Sequence, residues 1–170
     1  MIFSDTVTTP RLLLRCLAPE DAACIFQIRR DTSYAALMGW TPYQSMAEAE
    51  DYIRRVRSTA DCRSWAAVLE GKTVGAFCLW RIDRAAAVAE LGYELLPHVR
   101  RLGLAKEACT ALLPYEMEVI PLSRVDAFPR ADNLPSVRLL SSLGFCCSES
   151  PFRSDSSLHF SYYSPGGTRG

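Results

Sequence analysis

The chain's most distinctive chemistry lies at Arg100-Arg101-Leu102-Gly103-Leu104-Ala105, with Lys106 directly after. Here a run of strand character, residues 86–96, gives way to a run of helical character. The first amides of a helix lack partners within it, and the helix dipole favours negative charge at that end. Gly103 removes a Cβ that would keep an anion off the backbone, and Ala105 is nearly as small. Arginine adds planar donors matched to phosphate oxygens. Together these features describe a phosphate cradle. His98, ahead of the loop, is a turn residue or a phosphate neighbour. Upstream, Glu90 interrupts an apolar strand. It is a candidate general base, with a half-exposed strand residue or an arginine partner as the plain alternative. Downstream, Asn133 fits a helix N-cap, and Ser136 is either a second cap or a hydroxyl for a ligand.

The elements that position these groups follow from the rest of the chain. Its 170 residues suit one domain with a sizeable core. Residues 1–164 are expected to form that domain, with 165–170 a frayed tail. Net charge is zero, so any anion site depends on local placement, and a nucleic-acid partner is not expected. The seven cysteines are scattered and the two histidines lie far apart, giving no metal-ligand spacing. Free thiols, no visible signal sequence and no membrane-length apolar run together lead to the expectation of a cytoplasmic protein.

Residues 11–17 read as a first strand between Pro10 and Pro19. A helix follows from Pro19. Ser45-Met46-Ala47-Glu48 is a capping-box pattern opening a second helix to about Arg57. Residues 32–44 carry Tyr34, Met38, Trp40 and Tyr43 without clear period, as a loop over a cleft or an irregular core edge. Residues 64–69 and 73–80 form a hairpin, and a polar loop over 81–84 leads into the strand before the phosphate loop. The helix from Gly103 should end or kink at Pro114. A strand over 123–128, a helix from Asn133 to Gly144 and a final strand pair, 145–149 and 158–164, complete the order. The fold class is α/β: a mixed, mostly antiparallel sheet of about six to seven strands with flanking helices.

These pieces, in this order, resemble the GNAT superfamily of N-acetyltransferases over nearly the whole chain. Residues 100–105 match the family's Gln/Arg-x-x-Gly-x-Gly/Ala loop. Asn133-Leu134-Pro135-Ser136, ending in Leu143-Gly144-Phe145, is similar to its second signature. Thr9-Pro10-Arg11-Leu12-Leu13-Leu14-Arg15 and Ala89-Glu90-Leu91-Gly92-Tyr93 look like the ribosomal-protein alanine N-acetyltransferase subgroup.

The resemblance implies acetyl transfer from acetyl-CoA, with no metal, to a primary amine by direct attack. The acceptor would be a protein N-terminus or a small molecule, and the protein a monomer or homodimer. It implies a splay between the strand ending near Leu96 and the strand over 123–128, where the pantetheine arm inserts. Leu95 and Val99 would pair with the arm, Asn133 would reach it from the other side, and the N–H of Leu95 would stabilise the oxyanion. The amides and side chains from Arg100 to Lys106 would hold the pyrophosphate. As general acid for the departing thiolate, many relatives carry a tyrosine seven residues after the motif asparagine, but this chain has Leu140 there. Ser136 is then the nearest hydroxyl, with Tyr162 or Tyr163 as more distant candidates. Met38, Trp40, Tyr43 and Trp80 are candidates for an acceptor pocket. The alternative is a CoA-binding sensor or partner-binding module without catalysis.

Overall fold

The computed structural model describes residues 6–148 and 157–164. Most of the loop expected over 150–157, and the tail over 165–170, lie outside them. The strands are β1 (Thr6–Thr8), β2 (Leu12–Cys16), β3 (Arg63–Leu69), β4 (Lys72–Asp83), β5 (Val88–Leu95), β6 (Arg124–Ala127), β7 (Cys146–Ser148) and β8 (His159–Tyr163). They form one eight-stranded sheet in the order β1-β2-β3-β4-β5-β6-β8-β7. The expected sheet was slightly smaller. β1 is only three residues long and too short to show a period, yet it pairs with β2.

Every neighbouring pair is antiparallel except β5 and β6, which are parallel. That parallel pairing covers only Val88↔Arg124, Ala89↔Val125 and Glu90↔Asp126. Beyond Glu90, β5 continues without β6, so the sheet splays where the family resemblance implied.

The helices are α1 (Ala22–Arg29), α2 (Thr32–Met38), α3 (Met46–Ser58), α4 (Leu104–Val119) and α5 (Leu134–Ser142). Ile25 of α1 and Ala49 and Ile53 of α3 cluster with Ala66 and Ala76. Leu104, Ala108 and Leu112 of α4 cluster with Trp65, Phe77 and Leu79. Successive strand residues face opposite sides, so these groups lie on opposite faces of the sheet.

The local pattern departs from the sequence expectation in three places. Residues 32–44 were expected to be irregular, but α2 lies within them. Its cap is Asp31, whose Oδ1 accepts the N–H groups of Ser33 and Tyr34 at 2.9 and 3.0 Å, and Gly39 closes it at φ 74°. Only Ala35 of this helix is buried, so no apolar stripe announced it. The polar segment at 81–84 is not all loop, because β4 runs to Asp83 through a bulge between Trp80 and Asp83. Pro114 does not end α4, which continues to Val119. The buried Glu116 accepts from Arg63 Nε at 2.6 Å and Trp65 Nε1 at 2.8 Å. That anchor on β3, with Leu113 and Met117 buried beside it, offsets the one backbone bond a proline removes.

Candidate active site

The loop over residues 100–103 follows a short 3-10 turn, Pro97–Val99, and enters α4 through two left-handed residues, Arg101 at φ 65° and Gly103 at φ 81°. The first backbone bond of α4 is Glu107 N–H to Gly103 O at 3.0 Å. The amides of Leu104, Ala105 and Lys106 precede it and point out of the helix end. A Cβ on Gly103 would meet only Arg11 Nη2, at 3.5 Å, an ordinary contact. Glycine is needed there for the positive φ, more than for the space first ascribed to it. Arg101 and Lys106 are exposed beside these amides.

Arg100, unlike Arg101, is turned inward. Its Nε donates to Leu95 O at 2.9 Å, and its guanidinium lies 4.4 Å from the centre of the Tyr34 ring. Its Nη2 is buried and unpartnered. A brace unseen in the sequence supports the loop from behind. Arg11 donates through Nε to Glu107 Oε2 at 2.6 Å and through Nη1 to Leu102 O at 2.9 Å. Thr9 Oγ1 donates to Glu107 Oε1 at 2.6 Å. Partial burial would raise the proton affinity of Glu107, but the bonds from Thr9 and Arg11 outweigh it and hold the carboxyl below its usual range.

Leu95 stands at the splay. Leu96 N–H donates to Val74 O at 2.8 Å, and Glu94 is in register with Ala76. Alternation along the strand therefore turns the N–H and C=O of Leu95 away from β4, toward the side where β6 has diverged. Gly75 lets the strands approach here, since a Cβ on it would lie 2.4 Å from Glu94 O. The backbone of Val99 is half committed within the chain. Pro97 sets up a 3-10 turn in which Val99 N–H donates to Leu96 O at 3.1 Å, leaving only the Val99 carbonyl for a ligand.

Across the splay, Asn133 caps α5, its Oδ1 accepting Ser136 N–H at 3.3 Å. Ser136 Oγ meets Tyr93 OH at 2.5 Å, so this hydroxyl ties α5 to β5 instead of capping the helix. Burial raises the proton affinity of the Tyr93 phenol, and the Ser136 bond only partly opposes that. Tyr93 is therefore protonated at neutral pH. Leu140 is fully buried in the core. Tyr162 packs on Phe145, ring centres 5.3 Å apart. His98 is exposed in the 3-10 turn.

The opposite, α1–α3 face holds a cavity of about 540 Å³ that reaches the splay. Met38, Trp40, Trp80, Phe128, Glu90 and Glu94 are among its walls. Tyr43 is not among them; its hydroxyl accepts from Arg29 Nη1 at 3.1 Å. Glu90 Oε1 accepts from Arg81 Nη1 at 3.0 Å. Arg81 turns toward Glu90 at the β4 bulge, where its φ is 50°, and it stacks 4.5 Å over Trp80. Glu94 is buried and paired with Arg29, whose guanidinium lies 3.7 Å from the Tyr52 ring centre. The sequence reading missed Glu94. Glu90, Gly92 and Glu94 share a strand face at period two, and that spacing was the available signal.

Comparison with known proteins agrees with this geometry. The family model described as an acetyltransferase (GNAT) domain matches residues 11–146. The uncharacterized N-acetyltransferase p20 of Bacillus licheniformis is 29% identical over 146 residues, covering 83% of this chain and 82% of that protein. The fold is similar to that of Mycobacterium smegmatis RimJ, solved with CoA-disulfide, at TM-score 0.79 and 21% identity over 94% of this chain and 87% of that one. It is also similar to spermidine N-acetyltransferase from Vibrio cholerae, solved with CoA and spermine, at TM-score 0.75 and 19% identity over 89% of this chain and 93% of that one. With a left-handed glycine at the mouth of α4, a splay after Glu90 and a family match over most of its length, this chain belongs to the GNAT acetyltransferases and is an acetyl-CoA-dependent N-acetyltransferase.

Proposed function

We propose that this chain moves the acetyl group of acetyl-CoA to a primary amine held in the cavity, by direct attack and without an acyl-enzyme. The observation that carries the reading is the backbone of Leu95, whose N–H faces the opening between β5 and β6, while its C=O on the same side accepts from Arg100 Nε. An extended arm bearing amides can take the place of the missing strand there. The amides of residues 101–106 suit a pyrophosphate, with Arg101 and Lys106 adding charge. The buried, unpartnered Nη2 of Arg100 is a spare donor beside Leu95 O. Bound acetyl-CoA supplies a thioester, an activated acyl group. Two solved relatives of the same fold hold CoA or its disulfide, which favours this use of the loop.

The chain's own groups have separable tasks in this reading. Glu90 takes the proton from the attacking amine, directly or through water. Leu95 N–H is the donor for the acyl oxygen. The hydroxyl pair of Tyr93 and Ser136 is the proton source on the α5 side, where relatives use the tyrosine replaced here by Leu140. Asn133 keeps its amide nitrogen for the arm, since its oxygen caps α5. A cysteine nucleophile is disfavoured, because burial pushes the Cys78 thiol in the cavity wall up to about 12.

The acceptor is a protein N-terminal amine or a small amine. The aromatic walls with Glu90 and Glu94 suit an amine on an apolar body. Thiol release from acetyl-CoA, measured over a panel of small amines and peptides with free N-termini, tests the reading. Release with at least one member is expected. Tight CoA binding with no release from any member would sink it in favour of a sensor role.

A further inference from the structure

The cavity of about 540 Å³ exceeds what an acetyl group and a small amine fill, and its lining changes character from one side to the other. Its floor is the sheet face shared by Ala76 and Cys78 of β4 with Gly92 and Glu94 of β5. Ala76 is in register with Glu94, and Cys78 lies between Ser64 of β3 and Gly92. A Cβ on Gly92 would lie 2.9 Å from Cys78 Sγ, so small residues keep this floor low. On the β6 side the walls are polar, with Glu90 held by Arg81. On the β3 side, Leu17, Tyr52 and Val56 line the cavity with Ala76 and Cys78. The Glu94–Arg29 pair beside Ala76 is closed on itself: Arg29 Nε faces both carboxylate oxygens, and the Tyr52 ring covers the guanidinium. Arg55 and Asp61 of the same lining are exposed and meet water at the rim.

We infer that the apolar side receives the acyl chain of the donor, and that this enzyme also transfers acyl groups longer than acetyl, from thioesters such as butyryl-CoA and hexanoyl-CoA. The inference rests on the reading of Leu95 N–H as the donor for the acyl oxygen and of Glu90 as the base. Leu95 directly follows Glu94, so an acyl carbon held at Leu95 stands at the Glu94–Ala76 row. From there a chain crosses the sheet over Ala76 and Cys78 toward Leu17 and Val56. Neighbouring strands lie about 4.8 Å apart, so the path from β5 to β3 is about 10 Å long, several methylene groups more than acetyl carries. The amine keeps the charged side, by Glu90. The reverse placement would set an alkyl chain against charges and leave the amine without a partner. Chain length leaves the reaction unchanged. The amine nitrogen bonds to the acyl carbon and the carbon–sulfur bond breaks. The amine proton passes to Glu90, and CoA leaves as a thiolate that is protonated to the thiol.

The test is kcat/KM of the full chain for acetyl-, butyryl- and hexanoyl-CoA, by thiol release with the amine that acetyl-CoA serves best. Butyryl-CoA is expected to stay within about tenfold of acetyl-CoA. Its KM is expected to be lower, since each methylene buried is worth up to about fourfold. Val56→Phe narrows the apolar side from α3. It is expected to lower the hexanoyl-to-acetyl ratio of kcat/KM by about tenfold or more, with the amine KM unmoved. Butyryl-CoA more than tenfold below acetyl-CoA overturns the inference, while release from acetyl-CoA upholds the reading beneath it. A ratio unmoved in Val56→Phe overturns the placement of the chain. The wild-type series decides alone if Val56→Phe fails to fold. CoA binding with no release from acetyl-CoA on any amine sinks the underlying reading, and the inference with it.

Discussion

Arg29 and Glu94 form a nearly buried ion pair in the cavity wall, with Arg29 Nε facing both carboxylate oxygens at 3.1 and 3.0 Å. Their side chains are 13% and 6% exposed. Arg29→Met leaves Glu94 charged without a partner, at an expected cost of about 3–5 kcal/mol in denaturant unfolding. Arg29→Met with Glu94→Gln should recover most of that loss. Because Arg29 also lies against the rings of Tyr52 and Trp40, the acceptor KM should rise in both variants while CoA affinity holds. Equal destabilisation in the single and double variants would show that the pair is not what holds this wall.

Glu90→Gln keeps the shape of the side chain and can still accept from Arg81. Turnover should fall by about 10²- to 10⁴-fold, with CoA binding intact by calorimetry. Wild-type turnover would remove Glu90 from the role of base.

Gly103 separates a conformational demand from a steric one. Its φ of 81° is strained for other residues, while the space around a Cβ is adequate. Gly103→Val should therefore weaken CoA binding strongly, and Gly103→Asn, which tolerates left-handed backbone, should be milder by about 1 kcal/mol or more. Equal losses from the two would assign the effect to bulk instead of backbone.

Asp21 is buried and held by Arg15 at 2.7 and 2.8 Å, Thr73 Oγ1 at 2.6 Å and Ala18 N–H at 2.8 Å. Burial raises its proton affinity, but these bonds outweigh it and hold the carboxyl below the usual value. Its folded pKa is lower than its unfolded one. The stability it contributes is present above the unfolded value, near 4, and is lost as pH falls through the folded value. Asp21→Asn should lower stability by about 1–3 kcal/mol at pH 7, with the difference from wild type shrinking below about pH 4. A difference constant with pH would contradict the assignment.

Tyr93 and Ser136 are the one side-chain bond described between β5 and α5. Tyr93→Phe and Ser136→Ala should each lower kcat more than they raise the KM for acetyl-CoA, and the double variant should lose little more than either. Independent, multiplying losses would show that the hydroxyls do not act as a unit.

The loop, the order of elements and the caps were legible because each rests on contiguous residues. Gly103, Asn133 and the Ser45–Glu48 box announce local backbone states, and the structure places each at a helix start. What remained hidden is made by distant residues. The bonds of Glu107 are among these, since nothing near it in the chain reveals Thr9 and Arg11. The inward turn of Arg100 is another, because the loop motif does not show where its guanidinium points. Asp126 and His159 are separated by more than a helix and become neighbours only when β8 inserts beside β6. Arg81 faces Glu90 only because a bulge breaks the alternation that strand reading assumes.

The grip of Thr9 and Arg11 on Glu107 ties the segment before β2 to the loop that opens α4. Trimming to Leu12 would preserve every strand of the sheet except the three-residue β1, yet it would strip the brace from Glu107 and the Leu102 carbonyl. A shortened protein of this kind would keep its melting profile better than its affinity for CoA. Any alteration of the segment that carries Thr9 and Arg11 is therefore a functional choice, although that segment lies on the far side of the sheet order from the splay.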